Sequence, residues 1–242
     1  MTQTFEYLDI AKMIDHSLLN PTLAESDLRA GVALAAAYDC GSVCIMPYAL
    51  PWAVERLAGT SVQPSTTIGF PHGGHATAIK AAEAEWAVEH GCQELDMVVN
   101  ISRVLSGDWE AVHSDIAAVI ALAHDAGRKV KVIFENCYLS DDQKIRLCEL
   151  CGELRADWVK TSTGYGSGGA THEDLRLMRR HSPDHVQVKA AGGVRTLDAL
   201  LAVREIGVTR VGASATKAIL DEARRRLGLD PIDAPAATAA GY

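Results

Sequence analysis

The sequence predicts a single (β/α)8 barrel of the α/β class, followed by a short C-terminal tail. Short apolar runs alternate with longer amphipathic segments along the whole 242-residue chain, and no Pro- or Ser-rich linker divides it. Strict alternation of strands and helices favours parallel strands joined by right-handed crossovers. Eight such units in roughly 240 residues fit one closed barrel. The expected boundaries are residues 1–229 for the barrel domain and 230–242 for a flexible tail.

The short apolar runs predict eight strands. They lie near Met13–Ile14, Ser42–Met46, Thr66–Gly69, Glu94–Val99, Lys129–Phe134, Asp157–Thr161, His185–Ala190 and Val208–Gly212. A parallel sheet that is covered on both faces should be apolar throughout, so the polar residues within these runs are the informative ones.

The amphipathic segments between the strands predict helices. They cover Glu25–Tyr38, Ala76–His90, Trp109–Ala126, Ser140–Glu153, Thr171–Arg180, Thr196–Ile206 and Ser214–Leu227. Glycines follow three of these helices, and Ser or Thr residues stand at four N-terminal caps, as is typical of helix ends. These residues are Gly91, Gly127, Gly207, Ser140, Thr171, Thr196 and Ser214.

A doubly wound open sheet is the alternative fold. In dinucleotide-binding proteins of that class, the first strand-to-helix turn carries a glycine-rich fingerprint. Here that turn is His16-Ser-Leu-Leu-Asn-Pro21 and contains no glycine. The barrel is therefore the preferred interpretation.

The composition disfavours several classes of function. A formal net charge of −8 and a pI near 5.6, without a dense Lys/Arg stripe, argue against nucleic acid as a partner. No stretch approaches the roughly 18 apolar residues of a membrane span, and the N-terminus does not resemble an export signal, so a cytoplasmic protein is expected. The six cysteines are expected to be free thiols, and Cys148 and Cys151 fall in a helical pattern rather than in a metal or redox site.

Two lysines stand at the ends of successive apolar runs, 29 residues apart. Lys160 ends the run Ala156-Asp-Trp-Val-Lys160, and Lys189 ends the run Val186-Gln-Val-Lys189. Ammonium groups are rarely buried without a partner, because desolvation of a charge is costly. Amine chemistry is therefore the favoured explanation.

Alternation along the predicted strands places a set of charged residues opposite the apolar residues that pack on the helices. The set that should point toward the barrel axis is Asp96, Lys131, Glu135, Lys160 and Lys189. A purely structural layer of ion pairs is the alternative. Desolvation of several ions is costly, however, and apolar residues would serve stability equally well. Catalysis is preferred, because several of these residues end strands where barrel enzymes carry their chemistry.

A lysine beside another lysine can act as a nucleophile near neutral pH. Like charge and desolvation both lower the pKa of its amine. The neutral amine attacks a carbonyl to give a carbinolamine and then an iminium, which stabilises negative charge at the adjacent carbon. These residues leave open whether Lys160 or Lys189 attacks, and Asp96 with a bound water is the expected proton shuttle.

Glycine turns follow the seventh and eighth predicted strands, and each opens a helix. The first is Gly192-Gly193-Val-Arg195, and the second is Gly212-Ala-Ser214. Backbone amides at helix N-termini bind phosphate, and barrels build phosphate sites from these two loops. The loop from Thr161 to Gly169 can add further backbone donors. A phosphorylated aldehyde or ketone is the expected ligand.

These segments together resemble the deoxyribose-phosphate aldolase family over nearly the whole chain. The matching segments are Ile14–Pro21, Val43–Pro47, Ile68–Gly73, Glu94–Asp96, Val130–Glu135, Val159–Gly164, Val188–Thr196 and Gly212–Ser214. The most specific feature is the pairing of Lys160-Thr-Ser-Thr-Gly164 with Lys189-Ala-Ala-Gly-Gly-Val-Arg-Thr196. The resemblance implies a class I aldolase without metal or cofactor that cleaves 2-deoxyribose 5-phosphate to glyceraldehyde 3-phosphate and acetaldehyde.

The resemblance also assigns roles to residues. It implies Lys160 as the Schiff-base lysine, Lys189 as the neighbour that lowers its pKa, and Asp96 as the proton relay. The substrate-binding residues expected from it and from the glycine loops are Asp15, Thr161, Gly164, Gly192, Gly193, Arg195, Gly212, Ser214 and Tyr242, the last as a tyrosine that folds over the site. A role in deoxyribonucleotide catabolism and a possible homo-oligomer are further implications. The chain departs from many relatives at three positions: Tyr165 stands where some have a phosphate-contacting lysine, and Ser17 and Asn20 stand where many have threonine and lysine.

Three other functions fit parts of the pattern. His16, His72 and His75 suggest a metal-dependent aldolase, although glycine-rich loops hold ligands loosely. Another Schiff-base sugar-phosphate lyase or a transaldolase-like enzyme on the same barrel would differ in not using acetaldehyde as its donor. A non-enzymatic phosphosugar-binding barrel would keep the glycine loops but has no use for paired lysines.

Overall fold

The computed structural model describes residues 5–234, and eight parallel strands form a closed barrel within them. Each strand pairs with the next along the chain, and β8 pairs with β1 to close the sheet. The strands are β1 Ile14–Leu18, β2 Ser42–Ile45, β3 Gln63–Ile68, β4 Glu94–Val98, β5 Lys129–Ile133, β6 Trp158–Lys160, β7 Gln187–Ala191 and β8 Val208–Ala213. The predicted (β/α)8 barrel and its eight strands are confirmed.

Helices surround the barrel and connect its strands. They are α1 Tyr7–Ala11, α2 Glu25–Ala37, α3 Leu50–Leu57, α4 Thr77–Glu89, α5 Ile101–Leu105, α6 Trp109–Asp125, α7 Asp141–Glu153, α8 His172–His181, α9 Leu197–Glu205 and α10 Thr216–Leu227. Single 3-10 turns occupy Pro47–Ala49 and Asn136–Tyr138. All seven predicted helices are present.

The helix between β2 and β3 was not predicted from the sequence. Helix α3 carries Pro51 in its first turn, and the preceding 3-10 turn begins at Pro47. Proline breaks helix interiors but is tolerated in a first turn, where the missing N–H would have no partner in any case. The five-residue helices α1 and α5 were also missed, because they are too short to show a helical period.

Strand register brings the charged residues into one region of the barrel interior. Lys160 is the direct partner of Lys189, Asp96 of Lys131, and Lys189 of Arg210. Directly paired residues of neighbouring strands point to the same face of the sheet. The residues between them, such as Val159 and Val188, are fully buried toward the helices. Pairing therefore places Lys160, Lys189 and Arg210 in one row and Asp96 and Lys131 in another, although these residues are distant in sequence.

The described chain continues a few residues beyond the last helix. Helix α10 ends at Gly228, whose φ of 69° is a left-handed value that glycine adopts without strain. Residues 235–242, and with them Tyr242, lie outside the described residues, so the division of the chain at residue 229 stays a prediction. In the part of the chain that is described, no helix has both the length and the apolarity to cross a membrane.

Candidate active site

The two predicted lysines lie side by side on β6 and β7 and share one carboxylate oxygen. Lys160 Nζ donates a hydrogen bond to Asp96 Oδ2 at 2.7 Å, and Lys189 Nζ donates to the same oxygen at 2.8 Å. All three side chains are buried. The structure therefore brings together the three residues that the sequence nominated for catalysis.

The buried cations differ in how many carboxylates they contact. Lys189 also pairs with Asp15, while Lys131 lies 2.9 Å from Asp96 Oδ1 and 2.6 Å from Glu94 Oε2. In the described part of the chain, Lys160 has Asp96 as its single carboxylate partner within 4 Å. Lys160 is therefore the least neutralised ammonium group of the cluster.

This arrangement separates the pKa values of the two neighbouring amines. Burial lowers the pKa of Lys160, and the positive charge of Lys189 lowers it further, while Asp96 acts in the opposite direction. Burial acts in the same direction on Lys189, but Asp15 and Asp96 together outweigh it, so the pKa of Lys189 is raised. Lys160 is therefore the amine that loses its proton first, a choice that the pattern of residues alone left open.

The carboxylate between the lysines stays ionised. Burial acts to raise the pKa of Asp96, but Lys131, Lys160 and Lys189 outweigh it and hold the pKa well below its usual range. An ionised Asp96 can accept protons from the neighbouring amines. The sequence predicted that burial and Lys189 lower the pKa of Lys160, and the structure adds the opposing effect of Asp96, which bonds directly to both lysines.

The predicted set of inward-facing charges was wrong at one position and incomplete at two. Glu135 follows the end of β5 with a φ of 60°, so strand alternation no longer applies to it. Its carboxylate accepts hydrogen bonds from the backbone N–H and the hydroxyl of Thr163 instead of joining the lysines. Two inward-facing charged residues were missed. Glu94 is the first residue of β4, and Arg210 lies within β8. Alternate residues of a strand share a face, so Glu94, two residues before Asp96, and Arg210, two residues before Gly212, could have been found from the sequence.

A cavity of about 420 Å³ opens above the lysines at the C-terminal end of the barrel. Its lining includes Asp15, Lys160 and Lys189 together with the predicted glycine-loop residues Gly164, Gly192, Gly193, Arg195, Gly212 and Ser214. The amines and the glycine loops therefore face the same space. A ligand in this cavity can reach both.

The glycines of the loops are required by close approaches of the backbone. Gly192 has a φ of 80°, and a Cβ at this position would lie 2.9 Å from the Cα of Gly169. Gly193 and Gly164 have φ values of 92° and 94°, which side-chain-bearing residues rarely adopt. Bare amides are consequently presented to the cavity, which is the arrangement that binds phosphate oxygens.

Thr161 and Tyr165 have positions that the sequence did not indicate. The Thr161 hydroxyl donates to Ala191 O and accepts from Ala191 N, so it ties the end of β6 to β7 and does not line the cavity. Tyr165 reaches across from the sixth loop and donates its hydroxyl to Leu19 O at 2.8 Å, with its ring edge-on to Phe70. Tyr165 therefore links the loop after β6 to the loop after β1.

The histidines proposed for a metal-dependent alternative do not converge. His16 lies on the side of β1 away from Asp15, where its Nδ1 is 2.8 Å from Thr216 Oγ1 and burial lowers its pKa to about 4. Within residues 5–234, no three His, Cys, Asp or Glu side chains are arranged to hold a metal ion. Cys148 and Cys151 are free thiols buried on α7, as expected.

Comparisons with known proteins agree with this geometry. The model for the DeoC/LacD family aldolases matches residues 10–220. A deoxyribose-phosphate aldolase of Rhodopirellula baltica is 62% identical over 238 residues, which are 98% of this chain and 99% of that protein. One of Thermococcus gammatolerans is 46% identical over 219 residues, or 90% of this chain and 97% of that protein. The solved structure of the tetrameric deoxyribose phosphate aldolase from Aeropyrum pernix superposes with a TM-score of 0.84 at 30% identity, covering 92% of this chain and 93% of that one.

Proposed function

The chain belongs to the DeoC/LacD family of aldolases, and we propose that it cleaves 2-deoxy-D-ribose 5-phosphate reversibly to D-glyceraldehyde 3-phosphate and acetaldehyde through a Schiff base on Lys160. It is a carbon–carbon lyase of the aldehyde-lyase type. The observation that carries the assignment of Lys160 is its single carboxylate partner at the floor of a cavity whose rim is built from glycine loops.

The charge balance of the cluster supports a neutral Lys160. Four cationic side chains, Lys131, Lys160, Lys189 and Arg210, meet three carboxylates, Asp15, Glu94 and Asp96. One positive charge is therefore in excess when every group is ionised. Loss of the proton from Lys160 balances the cluster, and balanced charges are less costly to bury.

The first half of the reaction forms the iminium. Lys160 Nζ attacks the C1 aldehyde of the open-chain sugar, and a proton moves from nitrogen to oxygen to give the carbinolamine. Loss of the hydroxyl group as water leaves the iminium. Asp96 Oδ2, which lies within hydrogen-bond distance of both amines, can take up the proton from Lys160 and exchange it with Lys189 or with a bound water.

The second half breaks the C2–C3 bond. Removal of the proton from the C3 hydroxyl turns C3 into the aldehyde carbon of glyceraldehyde 3-phosphate, and the electron pair of the C2–C3 bond moves toward the iminium to form an enamine. A proton then adds to C2 and restores the iminium. Water hydrolyses it, releasing acetaldehyde and the free amine. Asp15, which lines the cavity beside Lys189, is proposed to orient the hydroxyl groups of the sugar.

The phosphate end of the substrate is assigned to the glycine loops after β7 and β8. Gly192 and Gly193 line the cavity with Arg195 and Ser214, and Gly212 lines it from within the end of β8. Helices α9 and α10 begin just beyond these loops, so their dipoles favour an anion there. Gly164 in the sixth loop is a further proposed donor, whereas Thr161 supports the loop from behind.

The cellular compartment, the pathway and the assembly of the enzyme are also part of the proposal. All six cysteines are free thiols, as is typical of a reducing compartment, and this supports action in the cytoplasm. The proposed substrate places the enzyme in deoxyribonucleotide catabolism. A homo-oligomer is proposed because the Aeropyrum pernix relative is described as tetrameric, and light scattering of the purified protein tests this directly.

Turnover of 2-deoxyribose 5-phosphate tests the proposed function. We expect acetaldehyde release by the parent enzyme, loss of turnover in Lys160→Arg because a guanidinium does not deprotonate, and normal turnover in Lys144→Arg. Lys144 is the matched control because its ammonium group pairs with Asp141 and Asp174 outside the cavity. In the synthetic direction, acetaldehyde should be a better donor than dihydroxyacetone phosphate. Preference for the ketone would instead support another Schiff-base lyase or a transaldolase-like enzyme.

A further inference from the structure

A second layer of charged residues lies beneath the lysines. Arg210 holds Glu94 with two hydrogen bonds, from Nη2 to Oε1 at 2.6 Å and from Nη1 to Oε2 at 3.1 Å. Glu94 is buried, and the Arg210 side chain is only 13% exposed. A forked Arg–carboxylate pair of this kind fixes geometry as well as charge. We refer to Arg210, Glu94 and Lys131 as the lower layer.

Each aspartate of the site spans the two layers. Asp15 accepts a hydrogen bond from Arg210 on Oδ1 and one from Lys189 on Oδ2. Asp96 accepts from Lys131 on Oδ1 and from Lys160 and Lys189 on Oδ2. Because one oxygen of each carboxylate is held from below, the other oxygen is aimed at the lysines above. The orientation of both aspartates therefore depends on the lower layer.

Trp158 forms the floor of the lower layer. The charged groups of Arg210 and Lys131 lie 5.2 and 5.7 Å from the centroid of its ring. The indole Nε1 donates to Thr209 Oγ1, which fixes the ring in place. The face of an aromatic ring attracts cations. The Trp158 ring therefore helps to stabilise the charges of Arg210 and Lys131 in a cluster that has fewer carboxylates than cations.

We propose that Arg210 and Glu94 are positioning residues of this aldolase: they orient Asp15 and Asp96 and, as an ion pair without net charge, leave the cluster with the single excess positive charge that keeps Lys160 Nζ unprotonated. This inference rests on the proposed role of Lys160 as the nucleophile. Neither residue lines the cavity, so both act through the two aspartates.

Arg210 and Glu94 carry opposite charges, so they should act in opposite directions on the protonation of Lys160. The titratable and charged groups around Lys160 come from β1, β2, β4, β5 and β7, and they are Asp15, Cys44, Asp96, Lys131 and Lys189. Arg210 faces Asp15, Glu94, Lys131 and the Trp158 ring. Removing the cation of Arg210 should stabilise the ammonium form of Lys160, and removing the anion of Glu94 should destabilise it. The two members of one ion pair should therefore have opposite effects.

The pH dependence of Lys160 acylation tests this without relying on turnover. We would react the full-length protein briefly with acetic anhydride across a range of pH and quantify the acetylated Lys160 peptide by mass spectrometry. In Arg210→Gln the midpoint should move to higher pH, and in Glu94→Gln to lower pH, by on the order of one pH unit each. Arg210→Lys should return the midpoint toward that of the parent, and the double variant R210Q/E94Q should lie near it. The acid limb of kcat/KM should follow the same order.

Arg179→Met is the matched control, because Arg179 bonds to backbone carbonyls at the end of α8 and lies outside the cluster. It should lower the melting temperature without moving the Lys160 midpoint. Shifts of the same sign in R210Q and E94Q, or no shift in a folded E94Q, would overturn the inference. If R210Q does not fold, E94Q decides alone. A parent that acylates as expected but never cleaves 2-deoxyribose 5-phosphate would contradict the proposed function and leave the charge effects measurable.

Discussion

One oxygen of Asp96 joins the two lysines of the site, because Oδ2 accepts hydrogen bonds from Lys160 Nζ at 2.7 Å and from Lys189 Nζ at 2.8 Å. A change in the charge of one amine is therefore felt at the other through a shared partner. This relationship explains how two lysines of the same type can hold different protonation states a short distance apart. It also leads to the first two predictions.

Replacing Lys189 with alanine should move the acid limb of the pH profile of kcat/KM to higher pH. The positive charge of Lys189 lowers the pKa of Lys160, and its loss also leaves Asp96 free to stabilise the ammonium form of Lys160. Lys160 must lose its proton to attack, so less of the free enzyme is active at neutral pH. Steady-state kinetics across pH measure this midpoint. Lys189→Arg keeps the charge and should keep the midpoint, and an unchanged profile in Lys189→Ala would contradict the coupling.

Replacing Asp96 with asparagine should separate Schiff-base formation from turnover. Loss of the carboxylate removes a group that raises the pKa of Lys160, so trapping of an aldehyde at Lys160 should persist at a lower pH than in the parent. The relay between the amines is lost, and kcat should fall about 10²- to 10⁴-fold. Rapid-quench trapping and steady-state assays of the same variant make the comparison. Turnover within about threefold of the parent would remove Asp96 from the mechanism.

A negative charge beside the glycine loops should weaken the use of phosphorylated substrate selectively. In Ser214→Asp the added carboxylate faces the proposed phosphate site, and a like-charge repulsion of about 1–4 kcal/mol corresponds to a loss of about fivefold or more in kcat/KM. Unphosphorylated 2-deoxyribose should be affected little. Ala58→Asp, which adds the same charge just after α3 at the opposite end of the barrel, is the control. Equal losses for both sugars in Ser214→Asp would place the phosphate elsewhere.

Tyr165 should influence how strictly the enzyme requires a phosphate. Tyr165→Phe loses the hydrogen bond to Leu19 O, worth about 1 kcal/mol, and should reduce kcat/KM for both sugars by a similar factor of about five. Tyr165→Lys adds a cation to the loop and should raise the ratio of kcat/KM for the phosphorylated over the unphosphorylated sugar. Steady-state kinetics with both sugars give this ratio for the parent and for Tyr165→Lys. A lower ratio in Tyr165→Lys would show that the loop does not face the phosphate.

The buried His16 should make the free energy of unfolding fall in weak acid, because its imidazole binds a proton more readily in the unfolded state. Its buried imidazole has a pKa of about 4, below the value near 6.5 of an unfolded histidine, so the unfolded state binds a proton more readily. The stabilising contribution is present above pH 6.5 and falls as the pH drops toward 4, by about 3 kcal/mol in total. Denaturant unfolding at several pH values measures the slope. His16→Asn should remove this part of the slope, and His113→Asn, at an exposed position of α6, should retain it.

Most of the fold was predictable because strand and helix periods alternate without interruption. The failures have local causes. Helix α3 was not predicted because Pro47 and Pro51 stand at its start. In sequence, a proline in the first turn of a helix cannot be told from a proline that ends one. Glu135 was placed in the barrel interior by extending a strand that in fact ends at Ile133. Alternation predicts a side chain's direction only as far as the strand continues.

The residues that carry the chemistry could be predicted from the sequence, but the carboxylates that contact each lysine could not. Lys160, Lys189 and Asp96 were brought together as expected, because alternation points all three side chains into the barrel interior. The lower layer was missed, since Glu94 and Arg210 stand near strand starts, where charged residues usually face solvent. Which lysine has the lower pKa depends on the number of carboxylates around each amine, and that number follows from three-dimensional contacts alone.

Borohydride trapping of acetaldehyde as a function of pH, with the modified lysine located by mass spectrometry, directly tests whether Lys160 is the unprotonated nucleophile. We expect a single reduced adduct on Lys160, with a midpoint below that of the surface lysines. We expect no adduct on Lys189 or on Lys80, which is buried against Asp115 outside the cavity. An adduct on Lys189, or a Lys160 midpoint as high as that of an exposed lysine, would contradict this assignment of Lys160.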